Sequence, residues 1–324
     1  LAVKRAPEPS GAFERRFEAL VDNVEQVIEG KDRAIRLTLA CLLAEGHLLV
    51  EDVPGVGKTT LAKALARSVS GTAQRIQFTP DLLPSDVTGV SVWNQATRVF
   101  EFRPGPIFAN FTVADEINRA SPRTQSALLE AMEERQVTVD GETHPLERPF
   151  MVIATQNPIE HEGTYSLPEA QLDRFLMRIE LGYPDRDAAI AILESQAAGT
   201  HVDELAPVVS ARDVTKMSQL ATTIHVAPSL QGFLLDLVDA TRDHPDVALG
   251  VSPRGALALQ RAARAWAAAT GRDFVVPDDI KELMPPVVTH RLLLTPEARL
   301  RGVLPEDVVA EVLEATPVPR TRRS

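Results

Sequence analysis

A single cysteine, Cys41, stands among 324 residues. No disulfide can close within the chain, which argues against a stapled extracellular scaffold and makes a cytoplasmic setting the simplest expectation. Cys41 itself reads as a small buried hydrophobe on a helix. Long apolar runs are missing too: the longest, Leu37 to Val50, is broken by Glu45, Gly46 and His47 and is too short to span a bilayer. Near the start, Lys4 and Arg5 are followed by Pro7, Glu8 and Pro9 instead of an apolar segment, so no secretory signal is expected. Nor is there an excess of basic residues. With 34 Lys and Arg against 45 Asp and Glu, the net charge is −11. A surface of that sign repels a phosphate backbone unless bases are locally concentrated, so no nucleic-acid partner is expected. Internal repeats and low-complexity tracts are also lacking. What remains, 44% hydrophobic and 24% charged, is an ordinary globular composition. Its length suits two domains or one large one.

The strongest positive signal is the run Glu51-Asp52-Val53-Pro54-Gly55-Val56-Gly57-Lys58-Thr59-Thr60, between the apolar Leu48-Leu49-Val50 and the helical pattern from Leu61 to Ala66. A strand feeding a glycine-rich turn and then a helix N-terminus aims several backbone N–H groups into one cavity, where they can cradle nucleotide phosphates. Lys58 is placed to reach the β- and γ-phosphates and the Thr59 hydroxyl to ligate Mg2+. The formal motif asks for glycine where Asp52 stands. Its carboxylate is expected to point away from the phosphates, since facing them it would oppose binding.

Up to about Pro184 short β-rich runs alternate with helical stretches, the pattern of a parallel sheet covered on both faces. Candidate strands are His47 to Glu51, Arg75 to Phe78, Phe111 to Asp115, Met151 to Thr155 and Met177 to Leu181. Five such strands with intervening helices make a doubly wound α/β nucleotide-binding domain over residues 1–184. Residues 185–324 read as a helical second domain, with helices at Asp187 to Gln196, Ser210 to Ile224, Pro228 to Arg242 and Pro253 to Thr270. The two ends, Pro- and charge-rich, are expected to be mobile. Two inserted hairpins are also expected, one from Val90 to Phe102 around Asn94 to Thr97, the other in the Val137 segment turning at Asp140-Gly141. They are either surface ornament or tools that touch a partner.

Several polar residues fall where chemistry could use them. The third strand ends in Asp115-Glu116; such an ending is common at solvated strand ends, yet beside a phosphate loop Asp115 can hold Mg2+ through water and Glu116 can activate the attacking water. Asn157, after the fourth strand, either turns the chain ahead of Pro158 or orients water beside the γ-phosphate. Arg174 either caps a helix end or enters a neighbouring subunit's site. Arg254, held at a helix start by Ser252-Pro253, is either a surface residue or one that a swinging second domain brings to the phosphates.

Taken in order, these residues resemble the AAA+ ATPases, and most closely their MoxR branch. The resemblance runs from about Val24 to Val288. It rests on the phosphate loop at 51 to 60 and on Thr-Pro-Asp-Leu-Leu-Pro-Ser-Asp at 79 to 86. Three further segments support it: Ala-Asp-Glu-Ile-Asn-Arg-Ala at 114 to 120, Ala-Thr-Gln-Asn-Pro at 154 to 158, and Leu-Pro-Glu-Ala-Gln-Leu-Asp-Arg-Phe at 167 to 175. It implies a P-loop AAA+ fold, a five-stranded parallel core with a C-terminal helical lid, binding ATP and Mg2+. It implies a Walker A with Lys58 and Thr59, flanked by Pro54, Gly55, Val56, Gly57 and Thr60, and a Walker B with Asp115 and Glu116. Asn157 would be sensor 1, Arg174 an arginine finger and Arg254 sensor 2. Val27 and Ile28 resemble the adenine-side contact, the Val90 hairpin the helix-2 insert, and the Val137 segment the pre-sensor-1 hairpin. The family implies hexameric rings with nucleotide between subunits. Its members commonly work with von Willebrand factor A domain proteins in chaperone-like maturation or metal insertion.

Two other classes compete. A small-molecule phosphotransferase shares the phosphate loop but needs neither Glu116 to activate water nor Arg174. A DNA-directed motor would use the first hairpin, but that region carries Arg98, Glu101 and Arg103 without a basic cluster. A GTPase is disfavoured by the lack of an Asn-Lys-x-Asp segment.

Overall fold

A computed structural model of the chain describes residues 10–52, 55–156, 165, 167–184, 186–190 and 202–319. Its centre is a five-stranded, all-parallel sheet in the order β2-β5-β8-β1-β9. The strands are β1 (Leu48–Glu51), β2 (Ala73–Gln77), β5 (Phe111–Asp115), β8 (Met151–Gln156) and β9 (Met177–Ile179), which bears out all five expected strands. β1, β5 and β8 are buried up to their last residue, and those last residues, Glu51, Asp115 and Gln156, are polar and partly exposed. One end of the sheet therefore carries the chemistry. The chain leaves β1 for β2 at the edge of the sheet, while the sheet neighbours of β1 are β8 and β9. Such a divergence opens a crevice at the carboxyl ends of the strands.

Side chains alternate across the sheet and build two cores. Leu48, Val50, Phe111, Val113, Met151 and Ile153 face one core, whereas Leu49, Ala114, Val152 and Ala154 face the other. The first core is covered by α1 (Ser10–Glu25), α2 (Asp32–Leu43) and α3 (Lys58–Ser68), and it continues into the C-terminal helices. Cys41 is buried there, as expected of a small hydrophobe, and burial pushes its thiol pKa up. The second core packs the sheet against α5 (Pro122–Glu134), whose start is capped by Ser121 and favoured by Pro122 at its first position. Between the strands lie α4 (Pro84–Thr88) and α6 (Glu169–Leu172).

Both expected hairpins form. β3 (Gly89–Asn94) pairs antiparallel with β4 (Val99–Pro104), and β6 (Gln136–Val139) with β7 (Glu142–Pro145). The second turns at Asp140 and Gly141, both at positive φ, the tight turn that suits strand twist. Phe102 of the first hairpin stacks on His144 of the second, with ring centroids 3.9 Å apart, so the two are joined.

The C-terminal region holds α7 (Ala211–Ala221), α8 (Pro228–Asp243), α9 (Pro253–Ala269), α10 (Pro277–Val288), α11 (Pro296–Leu300) and α12 (Pro305–Ala315). The expected helix Asp187 to Gln196 lies mostly outside the described residues. The region is not helical throughout: β10 (Val247–Leu249) and β11 (Leu293–Leu294) pair antiparallel. Strands of three and two residues are too short to show any period in the sequence. Among the described residues no helix is long and apolar enough to cross a membrane.

Candidate functional site

The loop after β1 turns on Gly55 and Gly57, with φ of +88° and +96°. Side chains with a Cβ rarely adopt that left-handed region. Gly57 is the N-cap of α3 and offers no side chain to cap it, so the first N–H groups of the helix remain available to an anion. Lys58 begins the helix and folds back over the loop, donating from Nζ to the Asp52 carbonyl oxygen at 2.8 Å. Partial burial lowers its pKa, opposed by the nearby charges of Asp115, Asp52 and Glu116.

Asp52 is buried, and its Oδ2 accepts the backbone N–H groups of Leu181 and Gly182 at 2.8 and 2.6 Å. The carboxylate ties the loop to the end of β9 and turns away from the cleft, as its chemistry requires.

Across the cleft stands the acid pair. Asp115 closes β5, and Glu116 follows at φ +56°, a strained setting for a non-glycine residue. Thr155, buried on β8, links them: its Oγ1 donates to Asp115 Oδ1 at 2.5 Å and accepts the Glu116 N–H at 2.9 Å. Arg75 donates from Nε and Nη2 to Asp115 Oδ2 at 3.1 and 2.6 Å. Glu116 Oε2 accepts from Gln77 Nε2 and Arg119 Nη1, each at 2.8 Å. A cleft of about 390 Å³ is lined by Gly55, Gly57, Lys58, Thr59, Thr60, Arg75, Asp115 and Glu116.

Sequence reasoning missed Thr155, Arg75, Gln77 and Arg119. The alternation of Arg75 and Gln77 on β2 puts the two on one face, but only the register, which sets Gln77 opposite Asp115, turns them to the acids.

The donor set suits a nucleoside triphosphate: uncapped backbone N–H groups, a lysine, a hydroxyl and a carboxylate around one cleft. Among the described residues no group of three or more His, Cys, Asp or Glu is arranged to hold a metal. The Thr59 hydroxyl and the Asp115 carboxylate line the same cleft, and they are the kind of hard oxygen donors that a magnesium ion takes together with phosphate oxygens. A Cβ placed on Gly57 would lie 3.5 Å from Ile28 Cδ1, and Val27 and Val56 pack on the same core as Ile28. Pro54 and Asn157 lie outside the described residues.

Arg174 and Arg254 are brought together, but not at this cleft. Arg174 Nε lies 3.3 Å from Glu133 Oε2, and Arg254 Nη2 donates to Glu133 Oε1. Both line a separate cavity of about 180 Å³ with Glu45, Arg135, Asp173 and Arg291. Arg254 is thus placed beside Arg174, not beside the phosphate loop of its own chain.

Comparison with known proteins follows the same lines. The ATPase family associated with various cellular activities (AAA) matches residues 47–177, and the AAA lid domain matches residues 239–312. The chain is 42% identical to the Chaperone MoxR1 of Mycobacterium tuberculosis, over 94% of this chain and 82% of that protein. It is 33% identical to the Protein MoxR of Methylorubrum extorquens, over 94% of each. It is 51% identical to the uncharacterized protein YeaC of Bacillus subtilis, over 93% of this chain and 94% of that one. Its backbone superposes on the crystal structure of a candidate ATPase from Cytophaga hutchinsonii with a TM-score of 0.90 and 37% identity, covering 96% of this chain and 97% of that one.

Proposed function

Since the chain belongs to the MoxR family of AAA+ ATPases, we propose that it hydrolyses ATP at the cleft between Gly55 and Glu116, as one subunit of a ring that remodels partner proteins. The observation that carries this reading is the Thr155 bridge, which sets Asp115 and Glu116 as a fixed pair facing Lys58 across one cleft. The α3 N-terminus and Lys58 bind the phosphates. Thr59 and Asp115 hold Mg2+, which supplies charge neutralisation at the terminal phosphates when bound. Glu116 accepts the proton of the attacking water, and Gln77 and Arg119 set the direction of its carboxylate. Val27 and Ile28 take the base side. Asn157, outside the described residues, keeps the role of orienting the attacking water that the resemblance gives it. The division into a nucleotide-binding domain over 1–184 and a helical lid over 185–324 belongs to the same proposal.

Arg174 and Arg254 sit outside the cleft of their own chain. This supports a homo-oligomer, a hexameric ring, in which they enter the neighbour's site and neutralise transition-state charge. A chaperone-like role, on von Willebrand factor A domain proteins or in metal insertion, follows the family pattern, and the name of the mycobacterial relative agrees with it in part. A cytoplasmic site of action fits a chain with one buried, unpaired cysteine.

The test is phosphate release from ATP by the purified protein. Lys58→Ala is expected to abolish nucleotide binding and release together. Release that persists in that variant would remove the cleft from the reaction.

A further inference from the structure

Arg291, just beyond α10, keeps only 2% of its side chain exposed. All three of its guanidinium nitrogens donate to one loop of the sheet domain. Nε donates to Asp173 Oδ1 at 2.7 Å, Nη2 to the carbonyl oxygens of Phe175 and Asp173 at 2.6 and 3.3 Å, and Nη1 to that of Leu176 at 3.3 Å. Nη1 also donates back to the Val287 carbonyl, which ties the guanidinium to its own helix. Three of the four carbonyls from 173 to 176 are therefore held by one side chain. The fourth residue is Arg174, whose side chain is left partly exposed and turned to Glu133.

The same loop grips the start of α9. Asp173 Oδ2 accepts from Ser252 Oγ at 3.0 Å, and Ser252 Oγ caps α9 by accepting the Gly255 N–H at 3.1 Å. Pro253 and Arg254 lie between them. Gly255 lies flush on Arg291, since a Cβ there would come within 2.9 Å of Arg291 Cδ. Asp173 thus joins two lid residues, one carboxylate oxygen to each, and Glu133 joins the two outward arginines in the same way.

We propose that Arg291 is a positioning residue for hydrolysis: with Asp173 and Ser252 it locks the 173–176 loop to the first turn of α9, so that Arg174 and Arg254 reach the neighbouring subunit as one rigid pair. The inference rests on the reading that Arg174 acts across a subunit boundary. A guanidinium meets this task because its planar fork reaches several carbonyls and a carboxylate at once, whereas an ammonium offers three donors from one point. Rigidity matters because a charge-stabilising group displaced by about 1 Å can lose on the order of 100-fold in rate.

The experiment pairs Arg291→Lys with Arg174→Ala, each alone and each mixed with Lys58→Ala protein. Arg291→Lys is expected to lower kcat about 100-fold and to leave the dissociation constant for a fluorescent ATP analogue unchanged. Mixing with Lys58→Ala subunits, which bind no nucleotide but present an intact arginine pair, is expected to restore turnover at the Arg291→Lys sites. Full activity of Arg291→Lys alone overturns the proposal, as does a parallel loss of nucleotide affinity. Rescue of Arg174→Ala without rescue of Arg291→Lys also overturns it, while leaving the trans reading intact. Failure to rescue Arg174→Ala removes the trans reading, and the proposal with it. Asp173→Asn, which keeps the volume but removes the charge between Arg291 and Ser252, carries the same readouts should Arg291→Lys not fold.

Discussion

Thr155 donates its hydroxyl proton to Asp115 at 2.5 Å and takes the backbone N–H of Glu116 at 2.9 Å. One buried hydroxyl therefore orders both acids of the site. Thr155→Val keeps the shape of the β8 end and strips both bonds. The expected result is a loss of about 1–3 kcal/mol in stability, the cost of leaving buried groups unpaired, together with slower hydrolysis at unchanged ATP affinity. Chemical denaturation and phosphate release measure the two effects separately.

Glu116→Gln removes the proposed base and preserves the side-chain length. Hydrolysis is expected to fall by about 100-fold or more, with ATP binding retained because Lys58 and the α3 N-terminus are untouched. Turnover at the wild-type rate would assign the base elsewhere.

Asp52→Gly would restore the glycine that the formal phosphate-loop motif asks for. It is nonetheless expected to destabilise the protein by about 1–3 kcal/mol, since the N–H groups of Leu181 and Gly182 lose their buried acceptor. A melting temperature equal to or above the wild type would show that the tie to β9 contributes nothing.

His47 is buried with both ring nitrogens engaged: Nδ1 accepts the Val152 N–H, and Nε2 donates to the Met132 carbonyl, each at 3.0 Å. Burial lowers its pKa to about 4, below the value of about 6.5 expected when unfolded. Below pH 6.5 the unfolded chain takes up a proton that the folded chain refuses. Stability contributed by neutral His47 is therefore whole above about pH 6.5 and is lost as pH falls towards 4, by on the order of 3 kcal/mol in all. His290, also buried, is shifted the same way. Urea midpoints should fall between pH 7 and pH 5, with a shallower slope in His47→Gln. An identical slope in the two proteins would count against His47 as a source.

All five central strands were legible because β1, β5 and β8 are short apolar runs while β2 and β9 alternate polar and apolar residues, from Arg75 to Phe78 and from Met177 to Leu181, and such patterns are local. The phosphate loop was legible for the same reason, and so were both hairpins, each marked by a polar turn between alternating residues. The pair β10 and β11 was not, since five residues in two pieces carry no period. Arg75, Gln77, Arg119 and Thr155 escaped because their roles come from strand register and side-chain reach. Nothing in Ala73 to Gln77 says that the strand will lie beside Phe111 to Asp115, yet that neighbour is what turns Arg75 and Gln77 toward the two acids.

By itself the sequence determined the glycine turn and the uncapped helix start after β1, because glycines at positive φ and a helix start without a side-chain cap are properties of consecutive residues. Only the tertiary structure decided where Asp52 points and what Arg174 and Arg254 share. Asp52 finds its partner 129 residues away, and Arg254 meets Glu133 across 121. At such separations side-chain partners are set by how the sheet and the C-terminal helices pack, and local propensity carries no trace of them.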